Sequence, residues 1–312
     1  MVGVSPSPPT ARIRVVTLNT LSPQYAEGRR RRAAIREELR RLDPDVVALQ
    51  EVVRTGEVDE TAELLGPAYH VAPHPAVAEG GDTAVLGSRW PFTQVHRLDL
   101  DVTARAREFP WGGAVVAELD VPGLGPLVLA HHKPCYQLGF ERERELQAVA
   151  TAELVERRVA DLSATEPAGR TVHAVLLGDL DATPDAASIR FLTGRQSLEA
   201  VSVSYHDAWE SAHPGEPGHT FTPENPLVAA GDMPLVRPRR IDYVLVRGMS
   251  HGPTLRVAAC ERAFTSGGPE GTPPSDHYGL VADLALPDRQ PGTFGEGFAP
   301  EDRSESSQSS QD

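Results

Sequence analysis

Polar side chains that can bind a metal ion or transfer a proton recur where apolar, β-rich runs begin or end. Carboxylates and histidines occupy most of these places, and an asparagine ends the first run. The positions are Asn19, Glu51, His131 with His132, Asp179 with Asp181, Asp242, and Asp276 with His277. A rigid sheet can hold such groups together at one rim. So many positions of this kind in one chain therefore predict a catalytic site.

The residue types indicate which chemistry this site would perform. Carboxylates with an asparagine, and without cysteine, favour a hard cation bound through oxygen, and Mg²⁺ fits best because it leaves room for water and phosphate oxygens. The histidines lack the His-Glu-x-x-His spacing of a zinc helix. His131 and His132 are adjacent on a predicted strand and must point to opposite faces. They cannot both bind one metal ion, and which of them faces the site stays open.

Apolar runs and periodic segments predict the elements that position these groups. Strands are expected at residues 13–18, 45–49, 83–86, 114–119, 127–130, 172–177, 241–246 and 280–286, and helices at 29–42 and 141–158. Hairpins and helices both connect the strands, which indicates a mixed α/β layered fold. The basic run at residues 29–32 is interpreted as a solvated helix face.

Length and composition limit the domain organisation and the location. The chain has 312 residues and a formal net charge of −14. One core serves up to about 250–300 residues, so we expect one catalytic domain at residues 12–286, between a flexible arm at 1–11 and a disordered acidic tail at 287–312. No apolar run reaches the roughly 18–20 residues of a membrane helix, and no secretory signal is evident. Two cysteines cannot form a disulfide framework, which favours a cytoplasmic protein.

Five motifs occur in a fixed order along the chain. They are TLNTL at 17–21, LQEV at 49–52, LGDLDATP at 177–184, RIDYV at 240–244 and SDHY at 275–278. Together they resemble the successive motifs of the endonuclease/exonuclease/phosphatase superfamily, which has the DNase I-like fold. The resemblance implies an α+β fold with two mixed β-sheets packed as a sandwich and helices on the outer faces, a four-layer α/β/β/α arrangement. It also implies Mg²⁺-dependent cleavage of phosphate esters, with Mn²⁺ as a substitute.

The resemblance assigns roles residue by residue. Asp179 would orient or deprotonate the attacking water, and His277, paired with Asp242, would donate to the phosphate. A further histidine at the phosphate would be His132, with His131 as the alternative. The metal ligands so implied are Asn19, Glu51 and Asp276, and the catalytic residues are His132, Asp179, Asp181, Asp242 and His277.

Asp181 departs from the family pattern, which usually has asparagine there. An asparagine amide can donate to phosphate, whereas an ionised aspartate only accepts. We therefore predict that Asp181 is paired with a second cation or with a donor such as His132. Leu21 is a second departure, at a position where DNA-repair members often carry another metal ligand. Both departures argue against a DNA-repair role.

The substrate is expected to be a small or short phosphate ester. The acidic net charge of −14 argues against affinity for long duplex DNA, which depends on neutralising phosphates. Lys133 and Tyr136, in the loop expected after residue 130, are candidate substrate-binding residues. Two alternatives stay open: a nuclease acting on DNA or RNA, and a non-catalytic binding protein on the same scaffold. The sequence does not indicate an oligomeric state.

Overall fold

A computed structural model of the protein describes residues 11–78, 80–108, 112–266, 273–295 and 298. Of the arm expected at residues 1–11, only Ala11 falls within this part of the chain. Of the expected tail, residues 287–295 and 298 do, and Phe294 is exposed there. The remaining residues of both segments lie outside the described residues.

The first sheet has six strands in the order β12-β13-β1-β2-β4-β3. Its central strands β1 and β2 run parallel, and its other neighbours are antiparallel. The strands are β1 (Arg12–Asn19), β2 (Val46–Val53), β3 (His70–Val77), β4 (Asp82–Ser88), β12 (Arg256–Ala263) and β13 (Gly279–Ala285).

The second sheet has seven strands in the order β11-β10-β8-β7-β6-β5, with β9 paired to β10. Strands β7 and β8 are parallel and the other pairs antiparallel. The strands are β5 (Gln94–Asp99), β6 (Gly113–Val121), β7 (Gly125–Lys133), β8 (His173–Asp179), β9 (Tyr205–Asp207), β10 (Asp242–Met249) and β11 (Gly252–Pro253).

Seven helices occur in the described part of the chain, and the two longest cover the outer faces of the sheets. They are α1 (Gly28–Leu42), α2 (Glu60–Leu65), α3 (Ala104–Arg107), α4 (Glu141–Thr165), α5 (Ala187–Leu192), α6 (Ala208–Ala212) and α7 (Pro226–Ala230). The apolar stripe of α1, which includes Ile35 and Leu39, packs on the first sheet, and that of α4, with Ala152 and Val155, packs on the second. No helix in the described part of the chain has the length and apolarity needed to cross a bilayer.

The main core lies between the two sheets. Alternate residues of each strand face inward, so Val15 from the first sheet and Leu129 and Val175 from the second belong to one buried cluster. Neighbouring residues in each strand face the helices instead. The two mixed sheets and their outer helices form the expected α/β/β/α sandwich, which is thereby confirmed. The polar residues at the strand ends gather at one rim of this sandwich.

Candidate active site

Asn19, the last residue of β1, joins the two sheets at the rim. Its side-chain nitrogen donates to Glu51 Oε1 at 2.8 Å and to Asp179 Oδ2 at 3.0 Å. Its side-chain oxygen accepts the backbone N–H of Leu21 at 3.0 Å. Asn19 was expected to be a metal ligand, a role that only its side-chain oxygen can fill, and this oxygen has a second lone pair beside the one that accepts the Leu21 N–H. The nitrogen of Asn19 orients the carboxylates of both sheets, and metal binding by its oxygen stays a prediction.

Glu51 reaches the rim because β2 is irregular at that point. The pairing of β2 with β4 changes register between Leu49 and Val52, and Glu51 has a φ of +58°. Such a bulge re-aims a side chain, and positive φ in a non-glycine residue costs about 1–3 kcal/mol that the surroundings must offset. Leu21 and Asp181 also have positive φ. Three of the nine non-glycine residues with positive φ in the described part of the chain therefore belong to this site.

Glu51 and Asp276 offer oxygen ligands for a cation. Both are only partly buried, and the Ser275 hydroxyl holds Asp276 Oδ1 at 3.1 Å. Burial raises the pKa of Asp276, and the charge of Glu51 adds to the rise while His277 opposes it. Two carboxylates that repel each other at an open rim suit a hard divalent cation. These residues therefore fit the metal that the motifs imply.

Asp242 and His277 form a buried pair across the two sheets. Asp242 begins β10, His277 lies just before β13, and His277 Nδ1 is 3.0 Å from Asp242 Oδ2. Burial lowers the pKa of His277, but the charges of Asp242 and Asp179 outweigh it and raise the pKa to about 10. His277 is thus an imidazolium at neutral pH, and its second ring N–H has no hydrogen-bond partner among the described residues.

Ligand-type atoms of Asp179, Asp242 and His277 lie within 4.8 Å of one another. A buried cluster of this kind could hold a divalent metal. A metal-bound imidazole must first lose its proton, and the raised pKa of His277 opposes that loss. The contact of His277 Nδ1 with Asp242 and the raised pKa of His277 both agree with a role as a hydrogen-bond donor.

Lys133 lies beside Asp179 and Asp181, where a histidine was expected. It ends β7, its ammonium lies 2.6 Å from Asp179 Oδ2, and it also contacts Asp181. Surrounding carboxylates raise the pKa of Lys133 against the effect of burial. Burial alone would raise the pKa of Asp179, but Lys133 and His277 lower it to about 2. Burial and the charge of Asp179 raise the pKa of Asp181 to about 6.

His132 does not face the site, so the prediction that it contacts the phosphate is wrong. Side chains alternate along β7, so His132 points toward α4, where its Nδ1 lies 3.0 Å from the hydroxyl of Thr151. His131 faces the space between the sheets and contacts Gln50 at 2.7 Å. Asp181 is paired, as predicted, but its partner is Lys133 and not His132.

Gly178 permits the close approach of β8 to β7 that brings Asp179 to Lys133. A Cβ atom at this position would lie 2.2 Å from the backbone oxygen of His132, and the φ of +149° disfavours other residues. Tyr136, three residues beyond β7, is 38% exposed. Tyr136 is therefore exposed at the surface, whereas Lys133 is almost fully buried within the site.

Two arginines of the basic run at residues 29–32 are buried, which the interpretation as a solvated face did not anticipate. Arg32 pairs with Glu60 at 2.7 Å. The guanidinium of Arg31 donates to six backbone oxygens. The acceptors are Thr20, Leu21, Ser22, Tyr25, Ala26 and Pro274. Arg31 thus holds the loop after Asn19 and the segment before Asp276 together, a role that no sequence pattern signals.

Comparison with solved structures identifies proteins of the same architecture. D. rerio TDP2, in a complex with single-strand DNA product, has a TM-score of 0.65 at 15% identity, covering 88% of this chain and 100% of that one. An endonuclease/exonuclease/phosphatase from Bacteroides vulgatus has a TM-score of 0.64 at 20% identity, covering 89% and 100%. The human Nocturnin catalytic domain with bound sulfate anion has a TM-score of 0.62 at 18% identity, covering 88% and 95%.

These likenesses concern the fold, because the sequence identities are low. Curated proteins yielded no match to the chain. The family model, in contrast, matches most of the sequence, from residue 16 to residue 277, and so spans every motif that supplies the site. The chain belongs to the endonuclease/exonuclease/phosphatase family.

Proposed function

We propose that this protein is a metal-dependent hydrolase that cleaves a phosphate ester by in-line attack of an activated water. The observation that carries the proposal is the buried Asp242–His277 pair, with Asp179 within 4.8 Å, beside the partly buried Glu51 and Asp276. The family name joins three activities that all act on phosphate esters. The catalytic unit we propose is residues 12–286 of a cytoplasmic protein.

Glu51 and Asp276 would hold the cation, for which we propose Mg²⁺ with Mn²⁺ as a substitute. When bound, such a cation neutralises charge on the phosphoryl oxygens. Asn19 fixes Glu51 through its hydrogen bond of 2.8 Å. This bond restrains the carboxylate rotamer and thereby organises the cation site.

Asp179 is the residue that positions the attacking water. It is ionised, fully buried and oriented by Asn19 and Lys133. A carboxylate held in this way accepts a hydrogen bond from water and aims one lone pair of the water oxygen at phosphorus. Its low pKa makes Asp179 better suited to orienting the water than to removing a proton early in the reaction.

His277 and Lys133 supply donors to the phosphoryl oxygens. His277 Nδ1 is engaged by Asp242, which leaves Nε2–H for the substrate. Lys133 uses two of its three N–H groups on Asp179 and Asp181 and retains one. Donors fixed before the reaction stabilise the charge that develops in the transition state. In this chain, the Lys133–Asp181 pair would thus supply the donor that an asparagine supplies elsewhere in the family.

A small or short substrate agrees best with the acidic chain. A net charge of −14 disfavours long nucleic acid. The second candidate is a nuclease acting on short strands, which the likeness to a TDP2 complex with single-strand DNA product supports. A non-catalytic binding protein is disfavoured because acid, base and metal-type residues all converge at the rim.

The test is hydrolysis of a panel of phosphomonoesters and phosphodiesters, including short oligonucleotides, with Mg²⁺, with Mn²⁺ and with chelator. Activity should require a divalent cation and collapse in Glu51→Gln but not in the exposed control Glu57→Gln. Asp179→Asn and His277→Ala should each lower kcat by about 10²–10⁴ while the protein stays folded. Full activity in excess chelator, or unchanged turnover in either variant, would refute the proposed mechanism.

A further inference from the structure

Arg239, Phe221 and His277 form a short cross-strand row beside the site. Phe221 pairs in antiparallel fashion with Arg239 on one side and with His277 on the other. Residues paired directly across strands have side chains on the same face. Their side chains do make contact: the ring of Phe221 lies 5.0 Å from that of His277, and the Arg239 guanidinium lies 5.3 Å from the Phe221 ring centroid. Arg239 therefore shares the face of His277, two strands away.

The charge of Arg239 is not balanced by a carboxylate among the described residues. Its neighbour Arg240 is buried and paired with Asp207, whereas Arg239 forms no such ion pair there. Its Nε is buried without a hydrogen-bond partner in the described part of the chain, and its terminal nitrogen has only the sulfur of Met233, at 3.9 Å. In a chain with 44 acidic residues against 30 basic ones, a half-buried unpaired arginine beside the site is a feature that a ligand would explain.

We propose that Arg239 binds a second anionic group of the substrate, a phosphate separated from the one that is cleaved. This inference rests on the proposed function and specifies its substrate class as an ester with two phosphate groups. Phe221 is 7% exposed and fills the space between the two cations, so it sets their separation at two strand spacings, about 10 Å between backbones. A guanidinium matches a phosphate because its planar fork donates two parallel hydrogen bonds.

The first experiment compares two chromogenic esters that differ by one phosphate: thymidine 5′-(p-nitrophenyl phosphate) with and without a 3′-phosphate. In the wild type, the 3′-phosphate should lower KM about tenfold, the effect of one charge-assisted contact. Arg239→Gln should abolish this difference without lowering kcat for the simpler ester, and Arg239→Lys should retain part of it. The matched control is Arg157→Gln, an exposed arginine of α4, which should keep the full difference.

The second experiment measures binding and does not depend on turnover. Calorimetry with thymidine 3′,5′-bisphosphate and thymidine 5′-monophosphate should show about tenfold tighter binding of the bisphosphate to the wild type and equal binding to Arg239→Gln. Equal affinities in the wild type, or a preference that persists in Arg239→Gln, would overturn the inference. If neither ester is hydrolysed but the binding preference depends on Arg239, the proposed hydrolysis fails and the second-anion site stands.

Discussion

The contact of Lys133 with Asp179 and Asp181 leads to a quantitative prediction. All three charged side chains are almost fully buried, so water screens their interaction only weakly. Their side chains are 6%, 1% and 9% exposed, and the Lys133–Asp179 distance is 2.6 Å. Opposite charges about 4 Å apart interact by about 4 kcal/mol at an effective dielectric of about 20. Lys133→Met leaves two carboxylates without their cation and should lower the free energy of unfolding by about 3–5 kcal/mol.

Asp181→Asn should be milder, because Lys133 keeps Asp179 as a partner. We expect a loss of at most about 1 kcal/mol, because burial and the charge of Asp179, which raise the pKa of Asp181 to about 6, offset most of the removed contact. The double variant should lose less stability than the sum of the two single losses, because it contains neither member of the Lys133–Asp181 pair. The expected coupling free energy is about 1–3 kcal/mol, within the usual range for residues in contact.

Urea unfolding of the four proteins at neutral pH and without divalent cations measures this coupling. The exposed pair Arg195–Glu210, with side chains 49% and 48% exposed, is the matched control and should couple by at most about 1 kcal/mol. Additive effects of Lys133→Met and Asp181→Asn within about 0.5 kcal/mol would refute the reasoning.

Asp181→Asn should also lower turnover, because Lys133 loses one of the two carboxylates that hold its ammonium in place. A variant that is faster at every metal concentration would contradict that role.

Three further predictions concern groups away from the reacting centre. Arg31→Lys should lose several of the six backbone contacts, lower stability by about 3 kcal/mol or more in urea unfolding and weaken activation by Mg²⁺, whereas the exposed Arg29→Lys should not. Burial lowers the pKa of His173 to about 4, so the unfolded chain binds a proton below pH 6.5 that the folded one excludes. The free energy of unfolding should then fall by about 1.4 kcal/mol per pH unit as the pH is lowered from 6.5 to about 4. His173→Gln should remove the contribution of His173 to this pH dependence, and the exposed control His70→Gln should leave it in place. Deletion of residues 287–312 should leave the melting temperature and hydrolysis unchanged, since Phe294 is 63% exposed; a large drop in melting temperature would show that the tail packs on the domain.

The strands that the sequence pattern did not predict all lie at sheet edges. In the first sheet these are β3 and β12, in the second β5 and β11, and β9 pairs only with β10. An edge strand has one neighbour and a solvated side, so it lacks the continuous apolar run of a central strand. Strand β3 also contains Pro73, and β12 is exposed at most positions. The buried central strands, in contrast, were recognisable from composition alone.

The site positions could be predicted because each is tied to the end of a central strand. The orientation of side chains could not. The predicted strand ended at residue 130, but β7 continues to Lys133, so a lysine assigned to a loop lies inside the site and His132 faces α4. The role of Arg31 depends on backbone oxygens, which a sequence does not display. Arg239 lies near His277 only because Phe221 pairs with both residues, which a sequence does not show.

Two hydrogen bonds at the rim cross from one sheet to the other. Asn19 of β1 donates to Asp179 of β8, and His277, ahead of β13, contacts Asp242 of β10. Each bond tolerates only a few tenths of an ångström of displacement. A small slide of one sheet over the other would thus disconnect the site while both sheets stayed intact. We expect heat or pressure to abolish turnover before circular dichroism reports any loss of strand, so catalysis would serve as the more sensitive gauge of how the two sheets are aligned.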